Sequence, residues 1–176
     1  MDAEGREALG RSRGGLTSKV HLLADDRCRP LVWLTTPGQR GDSPMFIPLM
    51  QALNVARTGA GRPRTRPDRA RGDKAYSSRA NRVYLRKRGI KATIAQPDDQ
   101  RANRRRRGRG GGRPPAFDRG QYRQRNTVER CISKLKQHRA VATRYDKRDY
   151  IFNGTLATAA IVIWLCDLIK EPSDTV

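Results

Sequence analysis

Strand-like and helix-like segments alternate along most of this chain, and their order limits the possible folds more than any other feature. Leu16–Ala24 and Arg29–Thr36 have strand patterns on either side of a polar turn, which predicts a β-hairpin. Helical patterns follow after Pro44 and after the pair Ser77-Ser78, which can cap a helix. The whole order is strand, strand, helix, strand, helix, strand, helix, helix. This order predicts an α/β domain with a mixed sheet and flanking helices.

Composition suggests where this domain begins and ends. Residues 1–15 are polar and glycine-rich and are interpreted as a leader. The domain is expected to span residues 16–170, followed by a tail at 171–176. Within it, residues 97–115 are dominated by arginine, glycine and proline, which predicts a flexible basic insertion.

Net charge points to a polyanionic partner. The chain has 176 residues, with 38 Lys and Arg against 17 Asp and Glu, a net charge of +21. Nucleic acid is the usual partner of such a surface. The densest run is predicted to contact DNA phosphates, although a solvated spacer is the alternative, and it consists of Arg104, Arg105, Arg106 and Arg107. Phosphate contacts would give affinity without sequence choice.

Three cysteines lie far apart in the sequence and form no C-x2-C pair, so they do not indicate a zinc site. An odd cysteine count without a recognisable secretory leader favours a reducing cytoplasm. The most apolar run, 155–169, contains Asp167 and is short for a membrane span. It is therefore interpreted as a core helix and no membrane partner is expected, with a membrane segment as the alternative.

The most informative pattern is Y-x2-R-x3-E-x6-K. Its four members are Tyr122, Arg125, Glu129 and Lys136. In one continuous helix these four residues would share a stripe, beside an apolar stripe suited to a core. The apolar stripe consists of Val128, Ile132 and Leu135. A carboxylate among cations and a phenol suits a site that holds metal ions and handles phosphates. An ordinary surface helix with paired charges is the alternative.

The pattern resembles the signature around the third catalytic acid of DDE-type insertion-sequence transposases, the IS-four/IS-five superfamily. The run RGDKAYSSRANRVYLRKRGIKATI, which contains Asp73, resembles the region of the second acid in that family. Other stretches, including GRSRGGLTSKVHLLADDRCRPL and TRYDKRDYIFNGTLATAAIVIWL, are also similar. The resemblance covers about residues 9–166 and implies a ribonuclease H-like core.

The resemblance also implies roles for individual residues. Asp73, expected to end a central strand, and Glu129 would be catalytic acids that hold Mg²⁺ or Mn²⁺, with two ions in the complete enzyme. Tyr122, Arg125 and Lys136 would contact the DNA ends and their phosphates. The partner would be double-stranded DNA, both the ends of the element and its target. The protein would be located in the cytoplasm, associated with the nucleoid.

One feature departs from the pattern of the family. The first acid of the family lies on a strand upstream of GRSRGG, where this sequence offers only Asp2 and no strand pattern. The expectation is a ribonuclease H-like sheet without its first strand, in a truncated or frameshift-split product that is inactive alone. Such a product would work with an upstream-frame product or as a homo-oligomer. The alternatives are another ribonuclease H-like nuclease and a non-enzymatic basic DNA- or RNA-binding protein.

Overall fold

The computed structural model describes residues 7–12 and 15–169, which divide into two compact units. The first unit combines the described residues up to Arg40 with those from Thr127 onwards, and the second is Gly41–Asn126. Asp2 and the tail at 171–176 lie outside the described residues. Each unit contains both strands and helices, in agreement with the predicted α/β class.

The first unit contains an antiparallel sheet in the order β1-β2-β3. Its strands are Gly10–Ser12, Gly15–Ala24 and Pro30–Pro37. The predicted hairpin is confirmed, since β2 pairs with β3 and Leu22 lies opposite Trp33. Asp25 shapes the turn, because its Oδ1 accepts the N–H groups of Arg27 (3.0 Å) and Arg29 (2.9 Å).

Three helices complete this unit: α5 (Asn126–Lys136, whose first residue is at the unit boundary), α6 (Arg139–Ala142) and α7 (Asp149–Ile169). The apolar stripe of α5 faces the core as predicted: Leu135 is buried, and Val128 and Ile132 pack against the buried cluster. The buried cluster contains Leu22, Cys28, Cys131, Leu135, Ala159 and Ile163. These side chains come from β2, the turn that follows it, α5 and α7, and their burial holds the unit together.

Helix α7 is the one helix in the described part of the chain whose length and composition would allow it to cross a membrane. That is a weak indication, because core helices of water-soluble domains pass the same test. One face of α7 is buried within its unit, at Phe152, Leu156, Ala159, Ala160 and Ile163. This buried face agrees with a core helix, whereas Ile161, Leu165 and Leu168 are exposed, so the helix is only partly buried.

The second unit is organised around a parallel pair of strands, β4 (Arg69–Gly72) and β5 (Lys91–Ile94). Helix α2 (Arg79–Lys87) connects them. The Ser78 hydroxyl caps its start by accepting from the Asn81 N–H at 3.1 Å, and Gly89 ends it at φ +64. The remaining helices are α1 (Phe46–Gln51), α3 (Asp98–Arg106) and α4 (Arg119–Arg123).

Three expectations about local structure need correction. The parallel and antiparallel pairs form separate hydrogen-bonded sheets, so the single mixed sheet is not observed among the described strands. Residues 10–12, assigned to the leader, form β1 because they pair with Gly15–Thr17. The insertion at 97–115 contains α3, a helix with Asp98 and Asp99 in its first turn and arginines in its last. Charges in those places stabilise a helix through its macrodipole.

Candidate functional site

Asp73 lies directly after β4, at the carboxyl end of a strand in a parallel pair. Ligands of open α/β sheets bind at that end of the strands. The side chain is exposed, and its Oδ1 accepts the N–H of Ala75, so Asp73 also caps a short 3-10 helix, Lys74–Tyr76. Among the described strands β4 pairs with β5 alone, so its expected central position in a sheet is not observed.

Buried polar side chains fix the loop that follows Asp73. Asn81, 2 % exposed, donates to the carbonyl of Tyr76 at 3.1 Å. The backbone carbonyl of buried Ser77 accepts from Gln100 at 2.8 Å, and its hydroxyl accepts from Arg82 at 2.8 Å. Because a buried polar network is costly to break, it holds the backbone beside Asp73 in one conformation.

The Tyr76 phenol, which lies near Asp73 in the sequence, has a strongly shifted pKa. Burial raises the pKa of the Tyr76 phenol to about 12, and the carboxylates of Asp42 and Asp73 add to the rise. The phenol therefore stays protonated at neutral pH and can donate a hydrogen bond. The Asp42 carboxylate thus acts on the same phenol as Asp73. Sequence spacing gives no sign of this, because 31 positions separate Asp42 from Asp73.

The expected single helix through the Y-x2-R-x3-E-x6-K pattern is wrong. Helix α4 ends at Arg123 and α5 begins at Asn126. The Arg125 N–H bonds to the Tyr122 carbonyl at 3.1 Å, a short i to i−3 bond that closes a turn rather than extending a helix. Helix α4 is only five residues long and buries no residue. The four signature residues therefore do not share one helical stripe.

The pattern is instead divided into two pairs. In the second unit, the Arg125 guanidinium lies 4.8 Å from the centre of the Tyr122 ring. The Phe117 ring packs against the same tyrosine, with centroids 5.0 Å apart. In the first unit, Glu129 and Lys136 are exposed and seven positions apart on α5, which places them on one side of that helix.

The four arginines of the dense run cluster at one end of α3. Arg104, Arg105 and Arg106 form its last turn and Arg107 follows it. Arg105 and Arg107 are exposed, whereas Arg104 donates to Gln96 at 3.2 Å and Arg106 to Asn103 at 2.8 Å. Gly111 packs directly on the Arg104 backbone, where a larger side chain would collide with its carbonyl. The end of α3 and the residue after it therefore carry several guanidinium groups close together, which suits contact with phosphates.

Acidic, histidine and cysteine side chains are the usual protein ligands of metal ions. Within residues 7–12 and 15–169, no group of three or more of them is placed to hold an ion. Asp73 and Glu129 each contribute one exposed carboxylate, the kind of oxygen ligand that Mg²⁺ prefers. Asp73 belongs to the second unit and Glu129 to the first. The donor chemistry fits a hard divalent cation, and their convergence on one ion stays a prediction.

Comparison with known proteins defines the class to which this architecture belongs. The family described as "Transposase DDE domain" matches residues 4–165. A protein of Burkholderia cepacia named as a transposase for insertion sequence element IS402 is 30% identical over 159 residues, which cover 90% of this chain and 67% of that relative. A protein of Brucella ovis named as a transposase for insertion sequence element IS6501 is 29% identical over 151 residues, covering 85% and 99%. No solved structure matches the chain.

The chain therefore belongs to the family of DDE-domain transposases of bacterial insertion sequences. Membership confirms the family that the sequence motifs indicate. It also implies DNA as a partner and, in general terms, the use of divalent metal ions by the complete domain.

Proposed function

We propose that this chain takes part in DNA transposition by cleaving phosphodiester bonds at the ends of an insertion sequence and joining them to target DNA. Asp73 and Glu129 are its catalytic acids. The observation that carries the proposal is the position of Asp73, exposed at the carboxyl end of β4 on a loop fixed by Ser77 and Asn81. A binding protein without chemistry has no need for a carboxylate fixed in this way.

Each acid contributes oxygen ligands for Mg²⁺ or Mn²⁺. One oxygen of Asp73 accepts the Ala75 N–H, and a carboxylate keeps further acceptor capacity after one such bond. When bound, a pair of ions activates the attacking oxygen and stabilises the leaving oxygen of the phosphodiester. The Tyr76 phenol, whose pKa is raised by burial and by the charges of Asp42 and Asp73, stays protonated beside this site.

Cationic side chains hold the DNA around these acids. Tyr122 and Arg125 stack on one another, which fixes the guanidinium for contact with phosphates at the element end. Lys136 adds a charge on the same side of α5 as Glu129. The α3 arginines contact the duplex backbone without reading sequence. Transposition takes place in the cytoplasm, on the DNA of the nucleoid.

The resemblance adds a third acid that completes the metal site. No third acidic, histidine or cysteine ligand clusters with Asp73 or Glu129 in the described ranges. We propose that cleavage requires this further acid. The purified chain alone is then expected to bind DNA and a metal ion while cleaving DNA slowly or not at all.

The test compares Asp73→Asn with Asp68→Asn. The asparagine side-chain oxygen can still cap Ala75, so Asp73→Asn removes charge and keeps the local fold. Asp68 is a matched control, because it lies five residues earlier, 87% exposed, and pairs with Arg64 at 2.7 Å. Mn²⁺ binding, followed by electron paramagnetic resonance, should weaken in Asp73→Asn and in Glu129→Gln and stay unchanged in Asp68→Asn.

The same variants are then examined in cells in which the intact insertion sequence transposes. Loss of transposition in Asp73→Asn and Glu129→Gln, but not in Asp68→Asn, supports the catalytic assignment. Normal transposition together with unchanged Mn²⁺ binding in either variant would overturn it and favour a non-enzymatic DNA-binding role.

A further inference from the structure

A cavity of about 710 Å³ lies within the first unit, between β2, α5 and the segment that leads into α7. Its volume is in the range of ligand-binding pockets. The floor is apolar, formed in part by Leu135, Phe152 and Leu156, which are at most 4 % exposed. A cavity with a buried apolar floor suits a ligand that has an apolar face.

The wall of the cavity is strongly cationic. Its charged residues are Lys19, Lys136, Arg144, Asp146 and Lys147, that is, four cations and one carboxylate. That carboxylate already accepts the Thr155 hydroxyl at 3.1 Å. The imbalance favours an anionic ligand. The apolar floor and the cationic wall together suit a ligand that has both an apolar face and a negative charge.

The cations have different tasks. Arg144 is used internally, since its guanidinium donates to the Glu7 carbonyl at 2.8 Å and lies 4.8 Å from the Phe152 ring centre. Lys19 donates to the Arg40 carbonyl at 2.9 Å. Lys136 and Lys147 are exposed, so their ammonium groups can reach a ligand without giving up buried positions.

An aromatic ring lies among these charges. Tyr145 is 68% exposed, lines the cavity and stands between Arg144 and Lys147 in sequence. Exposed aromatic rings beside cations are the means by which proteins bind single-stranded nucleic acid, because the ring stacks on a base and the cations contact the flanking phosphates. Paired DNA keeps its bases stacked inside the duplex and offers phosphates alone to this surface.

We infer that this cavity binds single-stranded DNA, with an unstacked base on Tyr145 and the apolar floor and with flanking phosphates on Lys136 and Lys147. The inference rests on the proposed function, since a transposase acts on DNA, and adds to it a site for an unpaired strand that shares Lys136 with the proposed DNA contacts. Tyr145 and Lys147 are its distinguishing residues, because neither belongs to the signature pattern.

The experiment measures binding of the full chain to a fluorescent thymidine oligonucleotide of about 12 nucleotides and to a paired duplex. Tyr145→Ala should weaken binding to the single strand about tenfold, because one base loses its stacking partner. Tyr145→Phe keeps the ring and should bind as the wild type does. Tyr150→Ala is the matched control, since Tyr150 is 75% exposed on α7 and does not line the cavity.

The salt dependence of binding distinguishes the contribution of charge from that of base stacking. Lys147→Ala should lower the slope of log K against log salt for the single strand by about 0.7. Tyr145→Ala should leave that slope unchanged, because it removes no charge. Neither the Tyr145 variants nor Tyr150→Ala should change duplex binding.

The outcomes separate this inference from the proposed function. A wild-type chain that binds duplex but not the single strand overturns the cavity assignment alone. So does a Tyr145→Ala variant that loses no more affinity than Tyr150→Ala, or that loses duplex and single-strand affinity equally. A wild-type chain that binds neither DNA overturns the inference and the proposed function together.

Discussion

The indole N–H of Trp33 on β3 donates to the side-chain oxygen of Asn153 on α7 at 3.0 Å, although 120 positions separate the two residues. The Asn153 amide nitrogen donates in turn to Asp149 Oδ2 at 3.0 Å and to the Thr35 hydroxyl at 3.3 Å. One asparagine therefore joins the hairpin to the last helix through several polar groups that are partly buried.

Replacement of Asn153 by leucine should destabilise the first unit by about 1–3 kcal/mol, because Trp33 loses its acceptor and Asp149 loses one of its donors in a partly buried place. The control is Thr158→Ala on the same helix, where an exposed hydroxyl bonds only to the Gly154 carbonyl. Urea unfolding followed by tryptophan fluorescence is the measurement. Both tryptophans, Trp33 and Trp164, belong to the first unit, so the signal reports on it alone. Equal midpoints for the two variants would contradict the prediction.

Local chemistry explains which parts of the fold the sequence predicts. The β2–β3 hairpin and the Ser78 cap each depend on residues within a few positions, and the structure confirms both. Helix α3 is not predicted, because the composition of residues 97–115 indicates a flexible segment. The order of its charges, with Asp98 and Asp99 first and arginines last, favours a helix.

Other features depend on partners that a pattern cannot show. The break at Gln124–Arg125 interrupts a run whose spacing fits one continuous helix, so periodicity does not report it. The separation into two sheets depends on which strand edges pair. At the candidate site, the motif identifies Asp73, whereas the influence of Asp42 on Tyr76 comes from tertiary packing.

Cysteine reactivity should differ sharply between two positions. Burial raises the pKa of the Cys131 thiol to about 12, so it stays protonated and inert at neutral pH. Cys166 is exposed on α7. Iodoacetamide should therefore modify Cys166 in the native chain and reach Cys131 only after unfolding, as peptide mass spectrometry would show. Rapid native modification of Cys131 would mean that this core opens readily.

The same thiol makes stability fall at alkaline pH. Its pKa is higher in the folded state, so between about 9 and about 12 the unfolded chain loses the proton first and becomes favoured. The stability of the first unit should be unaffected by this group below pH 9 and should fall above it, by at most about 1.4 kcal/mol per pH unit. Cys131→Ala should flatten that decline, and Cys166→Ala should not.

Asp73 and Glu129 should converge on one cation if the catalytic assignment is correct. In a Cys166→Ser background, the pair Asp73→Cys and Glu129→Cys would place two exposed thiols at those positions. Thiolates bind soft metals such as Cd²⁺ tightly, so a shared Cd²⁺ should protect both from alkylation. The matched control moves one thiol to Asp68, which is also exposed in the second unit. Equal protection in both pairs, or none in either, would contradict a shared ion.

The arginines at the end of α3 should carry a measurable share of the affinity for duplex DNA. Each phosphate contact contributes about −0.9 to the slope of log K against log salt, because binding releases condensed counterions. Replacement of Arg104, Arg105, Arg106 and Arg107 by alanine should flatten that slope by up to about 3–4. Replacement of the same four by lysine keeps the charge and should preserve the slope, while the loss of planar bidentate contacts lowers affinity.

Fluorescence anisotropy across a series of salt concentrations measures both quantities. A slope that is the same in the alanine variant and the wild type would show that this turn does not touch phosphate, and the duplex would then have to be held by cations elsewhere on the chain.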